Sequence, residues 1–489
     1  MNQPLLRNVV LRASIAASLA GFSPLASQAW AGGTSFDITS ISSLGSVNAG
    51  VAAEAGDASV IFANPAALTR FKRAELTQGA AFITVDNPYT SNRNNDGAPT
   101  NEGTRGSNGQ VFDSKDGYDA SALAPHTYLA IPLSDRTVMG FSASGSHGLV
   151  LGYDPNFPGR NQGRDIDFKV VRLNLALAHK FTNTFSGGVN LSAERFYQKA
   201  IVKVNFEDAT RRLIGQQAGG ATPDAVNALL GQIVGGVAGG IPPEADAKIR
   251  VFGTAYNLQL GVLWEPSENT RIGVSYRPDT KFRNSGKFTI NDSPQLAAYR
   301  EFVAGIPITA QAADDLNPDQ RVKQNITLND EFRLSIFHHA TPKLDLMATY
   351  TRQDYRVSKL EYIRERNDRP IEIIPQNFEV AESYRIGFNY RMYKRLTLRA
   401  GLATENGVVN DQNRISILPD SDRVFYGVGA TLNLSPDRDL HLAYSFLDTK
   451  PAKIGLNRSV EPAEVRGGEF EGTVQLKTHF FGIGLTDRF

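Results

Sequence analysis

Apolar and polar positions alternate along most of the chain beyond residue 74. Val424, Tyr426, Val428, Ala430, Leu432 and Leu434 share one face of a stretch whose other face holds Phe425, Gly427, Gly429, Thr431 and Asn433. Leu173, Leu175 and Leu177 alternate with Arg172, Asn174 and Ala176, and Tyr256, Leu258, Leu260, Val262 and Trp264 with Asn257, Gln259, Gly261 and Leu263. The same period of two recurs at 384–392, 396–402 and 440–446. Successive side chains of a strand point to opposite faces, so this pattern predicts β-strands with one apolar and one polar face.

The links between strands are sorted by length. Short polar links fall at 133–136, 182–184, 266–270, 339–343, 393–395 and 435–439. Long ones fall near 87–124, 152–165, 207–247, 290–322, 357–377, 405–422 and 448–472. Six short turns alternating with seven long loops imply fourteen strands. Bacterial outer-membrane barrels have an even strand number, short periplasmic turns and long external loops. A soluble sandwich has no reason to sort its connections this way. The expected fold is an all-β, 14-stranded antiparallel transmembrane barrel occupying residues 75–489. Closure leaves no unpaired sheet edge in the hydrocarbon. On the last strand Phe481, Ile483, Leu485 and the terminal Phe489 share a face, similar to the signal read by barrel-assembly machinery.

Composition agrees. Arg7 and Arg12 precede a short apolar run at 13–22, and Ala29-Trp30-Ala31 supplies a small-residue cleavage site, so residues 1–31 read as a secretory signal. Removing them takes the formal charge from +1 to about −1, which gives no reason to expect a nucleic-acid partner. There is no cysteine, so an exported chain of this size must rely on its core or on sheet closure rather than disulfides. No later apolar run is long enough for a transmembrane helix.

A barrel of fourteen strands encloses a lumen too wide for its own side chains to fill, since about eight strands already suffice. Residues 32–74 precede the first strand and contain Ala49, Gly50, Ala52, Ala53, Ala55, Gly56 and Ala58, all small enough for close packing. Pro65 restricts Asn64 to extended or turn geometry, and the Asn64 amide can hold a turn. The segment is therefore a candidate lumenal plug, with Asn64, Pro65 and Ala66 as gate elements. A periplasmic linker is the other reading of the same residues.

Ser43-Leu44-Gly45, Ala49-Gly50, Asp57-Ala58-Ser59 and Asn64-Pro65-Ala66-Ala67-Leu68 together resemble the N-terminal hatch of the FadL/TodX-type outer-membrane transporters of hydrophobic compounds. Ser146-His147-Gly148-Leu149 resembles the family's kinked third strand. Tyr384-Arg385-Ile386-Gly387 and the run at 412–423 resemble two motifs nearer its carboxyl end. The resemblance implies a hatch inside a fourteen-stranded barrel, capture of a ligand such as a long-chain fatty acid outside, transfer to an internal pocket, lateral exit at the third-strand kink, and a monomer in outer-membrane lipid and lipopolysaccharide.

On these residues, lateral exit falls to Gly145, Ser146, His147 and Gly148, because glycine inside a strand marks a bulge or bend. An apolar groove is expected in two outer loops, from Leu213, Ile214, Leu229, Leu230 and Ile233 in one and Phe302, Val303 and Ile306 in the other. Arg195, Lys199 and Lys203 are the candidate lumenal contacts for a carboxylate. They do not follow the family pattern cleanly, and Pro375-Gln376-Asn377 stands where a second basic group could be supplied. An aromatic hydrocarbon therefore remains an alternative ligand, and an open diffusion porin an alternative function. The seven histidines have no G-x-S-x-G neighbour, and the chain has no H-E-x-x-H, EF-hand or Walker pattern. Neither an enzyme, a cofactor nor a metal is expected.

Overall fold

The computed structural model describes residues 40–86, 89–91, 120–153, 160, 163–206, 228, 244–304, 317–358, 360–366, 368, 370–374, 378–411, 414, 418–454 and 472–489. The strands of the wall are β1 (Glu75–Asp86), β2 (Ala120–Pro132), β3 (Thr137–Gly152), β4 (Asp165–Lys180), β5 (Phe185–Asn205) and β6 (Glu244–Ser267). They continue with β7 (Thr270–Arg277 and Thr280–Ile290), β8 (Asp319–Leu328 and Asp330–Thr341), β9 (Leu344–Asp354 and Leu360–Arg364) and β10 (Pro370–Ile374 and Val380–Tyr393). The last four are β11 (Leu396–Glu405), β12 (Arg423–Ser435), β13 (Arg438–Thr449) and β14 (Lys477–Arg488). Each pairs antiparallel with its neighbours, and β1 pairs with both β2 and β14, so the fourteen-stranded sheet closes.

The alternation read from the sequence is the inside and outside of this wall. Leu173, Leu175, Leu177, Tyr256, Leu260, Trp264, Ile386, Val428, Phe481 and Ile483 are exposed on the outer face. In a soluble protein that surface would be a large unmet apolar patch; in a bilayer it is the lipid-facing belt. Asn174, Asn190, Gln259, Ser275, Ser335 and Thr349 alternate with such residues and are buried within. Register fixes the assignment, since a slip of one residue would exchange the faces.

Several strands depart from a simple wall at one level, β10 among them where its two pieces meet the break in β9. In β7 the break is at Pro278-Asp279, in β8 at Asn329, in β9 at a 3₁₀ turn (Tyr355–Val357), and β3 carries a bulge between Gly145 and His147. Proline cannot donate to a ladder, which accounts for the break in β7. Four segments expected as loops contain further structure among the described residues: a helix (Pro294–Ala304), the outer part of the β9–β10 hairpin, and a small sheet that joins two of them through Tyr89–Ser91, Ala452–Ile454 and Gly472–Val474.

Candidate functional site

The N-terminal segment lies within the closed wall. It has two short helices (Ile41–Leu44 and Val60–Ala63) and a 3₁₀ helix (Pro65–Arg70). Asn64 is fully buried, and its extended backbone ends one helix and caps the next. Its Oδ1 accepts from Ala66 N at 3.1 Å, while Nδ2 donates to Ala52 O at 2.8 Å and to Val262 O of β6 at 2.9 Å. One amide thus ties two parts of the segment to each other and to the wall. Pro65 sits at the first helical position, where its missing N–H costs nothing.

Side chains from many strands reach the segment's backbone. Ser275 donates to Ala63 O at 2.6 Å, Gln259 to Phe62 O at 3.1 Å, Arg271 to Ala53 O at 2.9 Å, and Ser445 to Leu44 O at 2.7 Å. Thr349 accepts from Gly50 N at 2.8 Å and Ser335 from Ala52 N at 3.2 Å. A segment without a sheet of its own thereby satisfies its buried polar groups. Where the wall comes closest it carries glycine. A Cβ on Gly273 would stand 1.9 Å from Ala52 O, on Gly188 2.4 Å from Ala66 N, and on Gly401 2.3 Å from Ser46 O. Asp57 is also buried. Burial raises its pKa, but nearby His441 and hydrogen bonds from Ser42 and Ser59 outweigh that and hold it below the usual carboxylate value.

The four kink residues come together at a seam. Pairing of β2 with β3 runs from Pro132↔Val138 only to His126↔Ser144. Beyond it β3 continues to pair with β4, and β2 with β1, but not with each other. Alternation of burial also stops there: every residue from Ser142 to Leu149 is buried, so both faces of β3 are covered where it bends from the wall. His147 is fully buried, with Nδ1 3.1 Å from Ser146 Oγ and Nε2 3.2 Å from Asn329 Oδ1. It joins the bulge of β3 to the break in β8.

Beside the seam is a buried charged cluster that sequence reading missed. Arg172 pairs with Glu194 at 2.9 Å, its guanidinium 5.1 Å from the centre of the Phe62 ring, and Arg333 pairs with Glu331 at 3.1 Å. Arg277, also buried, stands directly opposite Glu331 in the register of β7 and β8. Among the described residues, Arg172 Nη2 and Arg277 Nη1 are buried without hydrogen-bond partners. These named groups set three guanidinium cations against two carboxylates, and buried charge left uncompensated is costly.

The expected carboxylate contacts do not fit. On β5, Ser192, Glu194, Phe196 and Gln198 face inward and are buried, so Arg195, Lys199 and Lys203 point outward. Arg195 is exposed over the Phe252 ring, and Lys203 lies 3.6 Å from Asp246. Counting in twos from Leu191, an outward residue, would have placed all three on the outer face. The same count from Leu173 places Arg172 inside. Of the expected groove, Leu213, Ile214, Leu229, Leu230, Ile233 and Ile306 fall outside the described residues. Phe302 and Val303 belong to the helix Pro294–Ala304, in which Leu296 is buried. Residues 1–31 also fall outside them.

Residues 22–489 match the sequence profile of the family described as outer membrane protein transport protein (OMPP1/FadL/TodX). Outer membrane protein P1 of Haemophilus influenzae is 26% identical over 429 residues, covering 84% of each chain. The long-chain fatty acid transport protein of Escherichia coli K12 is 23% identical over 437 residues, covering 88% of this chain and 91% of that one. Among solved structures, a Pseudomonas aeruginosa FadL homologue superposes with a TM-score of 0.79 at 21% identity, over 94% of this chain and 99% of the other. The Ralstonia pickettii toluene transporter TbuX gives 0.56 at 16% identity, over 91% and 98%. The barrel, its lipid-facing belt and the family together make this an outer-membrane transporter of hydrophobic compounds. The chain belongs to the OMPP1/FadL/TodX family of outer membrane transport proteins.

Proposed function

We propose that the protein carries long-chain fatty acids passively across the outer membrane, with residues 40–71 as a lumenal plug and the β2–β3 seam as the exit. The carrying observation is the placement of the unpaired seam next to a buried cluster with surplus positive charge. A carboxylate there would take up the free N–H groups of Arg172 and Arg277, and charge-assisted bonds of this kind are strong. The alkyl tail would gain roughly 0.8 kcal/mol for each buried methylene. Release at the seam delivers an apolar solute sideways into the outer membrane, so flow follows the solute gradient. The relatives named as long-chain fatty acid transport proteins support the same substrate class.

The test is uptake of long-chain fatty acids and of monoaromatic hydrocarbons by cells lacking the endogenous transporter, with and without this protein. Wild type is expected to restore fatty-acid uptake. Arg277→Gln should lower it about tenfold, the scale of one charge-assisted hydrogen bond, and leave hydrocarbon uptake unchanged. Uptake of hydrocarbons alone would overturn the fatty-acid reading in favour of an aromatic substrate. Equal loss of both classes in Arg277→Gln would remove the carboxylate role.

A further inference from the structure

The outward face of β5 to β8 carries a row of cations in direct register. Lys199 stands opposite Arg250, Arg250 opposite Lys287, and Lys287 opposite Arg321. All four lie on the outer face by strand alternation, and Arg250, Lys287 and Arg321 are exposed. Lys248, Arg283 and Lys323 share that face around the row. Like charges directly opposite on neighbouring strands are destabilising, so four in succession call for an outside counter-charge.

The protein's own acids offset only part of it. Lys287 lies 3.3 Å from Asp319, Lys323 3.1 Å from Asp368, and Lys203 3.6 Å from Asp246. Asp167 faces Lys199 across β4 but lies 3.6 Å from Lys169. Among the described residues Lys199, Arg250 and Arg321 make no ion pair.

The height of the row identifies its surroundings. One residue pair nearer the membrane, Tyr197 stands opposite Phe252, with Lys169 4.9 Å from the Tyr197 ring and Arg195 5.0 Å from that of Phe252. At the short-turn end of the same strands Phe185 stands opposite Trp264. The two aromatic pairs are separated by about 12 steps of ~3.3 Å along strands tilted about 40°, or roughly 30 Å, the spacing of the two girdles around an apolar band. The tyrosine–phenylalanine pair thus lies at the outer end of this span, with outward Arg195 and Arg283 just on its membrane side, and the row stands one outward step beyond it, at the level of lipid headgroups.

We infer that Lys199, Arg250, Lys287 and Arg321 form a docking site for the phosphate groups of a phosphorylated glycolipid of the outer leaflet, of the lipid A type. The aromatic pair offers apolar contact to acyl chains beneath, and the row offers a line of donors at headgroup height. The inference depends on the outer-membrane location and not on the transported substrate.

The full-length protein, purified and delipidated in mild detergent, would be titrated with bisphosphorylated lipid A and binding read by native mass spectrometry. Lys199→Ala with Arg250→Ala should weaken binding about tenfold or more, as expected for two charges removed near an anionic lipid surface. Lys394→Ala, removing a cation from a turn at the opposite end, should leave binding unchanged. Wild type should bind enzymatically dephosphorylated lipid A and phosphatidylglycerol more weakly by a similar factor. Heat-modifiable gel mobility checks that each variant is a folded barrel. Binding by the folded double variant within twofold of wild type would overturn the site. Equal binding of dephosphorylated lipid A would overturn phosphate recognition, and equal binding of phosphatidylglycerol would overturn the glycolipid.

Discussion

The N-terminal segment and the β2–β3 seam sit in the same barrel and are built in opposite ways. The segment has no ladder, yet its backbone is held by side chains from β6, β7, β8, β9 and β13 and faces glycines where contact is closest. At the seam two strands each keep their outer partner and lose one another. The segment is held by close packing and side-chain bonds at its contacts with the wall, and the wall is opened by omitting pairing. A wall hydrogen bond left unmade in lipid is costly. At the seam that cost falls where β3 has bent inward and is covered on both faces, not where it meets hydrocarbon.

The largest effect is expected from closing the seam. Replacing 145–148 by a four-residue alternating strand sequence would remove the bulge between Gly145 and His147 and let β3 pair with β2 along its length. Fatty-acid uptake should fall to the background of cells without the protein, while heat-modifiable mobility remains that of a folded barrel. Normal uptake by such a variant would end the lateral-exit proposal.

Next comes the glycine contact. Gly273→Val puts a Cβ where Ala52 O now lies, in a wall that cannot retreat without losing its ladder. Overpacking of this sort costs about 1–3 kcal/mol. Here the loss should appear as displacement of the segment, because the sheet is the stiffer partner. Liposomes carrying the variant should swell in small sugars, and wild-type liposomes should not. Swelling by wild type would instead favour an open porin and remove the plug.

The alternation of the wall was legible because lipid and lumen impose opposite chemistry on successive residues, as along Leu173, Leu175 and Leu177 against Arg172, Asn174 and Ala176. The bulge was legible as glycine on both sides of His147. The faces of Arg195, Lys199 and Lys203 were also legible, but a basic residue on a barrel strand suggests the lumen unless it is counted from an apolar neighbour such as Leu191. The shared level of the breaks in β3, β7, β8 and β9 was not. Pro278 and Asn329 each look like an ordinary turn, and only register between distant strands brings Asn329 to His147. The charged cluster has the same origin: Arg172, Arg277 and Arg333 stand on three strands, and each alone reads as a solvated lumenal residue.

The smallest effect sharpens the comparison most, because it touches one side chain. Asn64→Ala removes the bonds to Ala52 O and Val262 O and the cap on Ala66 N without introducing any clash. It leaves two buried carbonyls and one amide to find other partners, a loss of roughly 1–3 kcal/mol. That should loosen the segment without expelling it, since the bonds from Ser275, Gln259 and Arg271 remain. Amide hydrogen exchange should rise across 50–68 and stay unchanged in β11 to β14. If exchange rises equally throughout the barrel, the segment and the wall form one cooperative unit, and the plug could not shift while the wall stays intact. If it rises in the segment alone, the segment has its own lower-energy opening, as a plug that moves within a fixed wall requires.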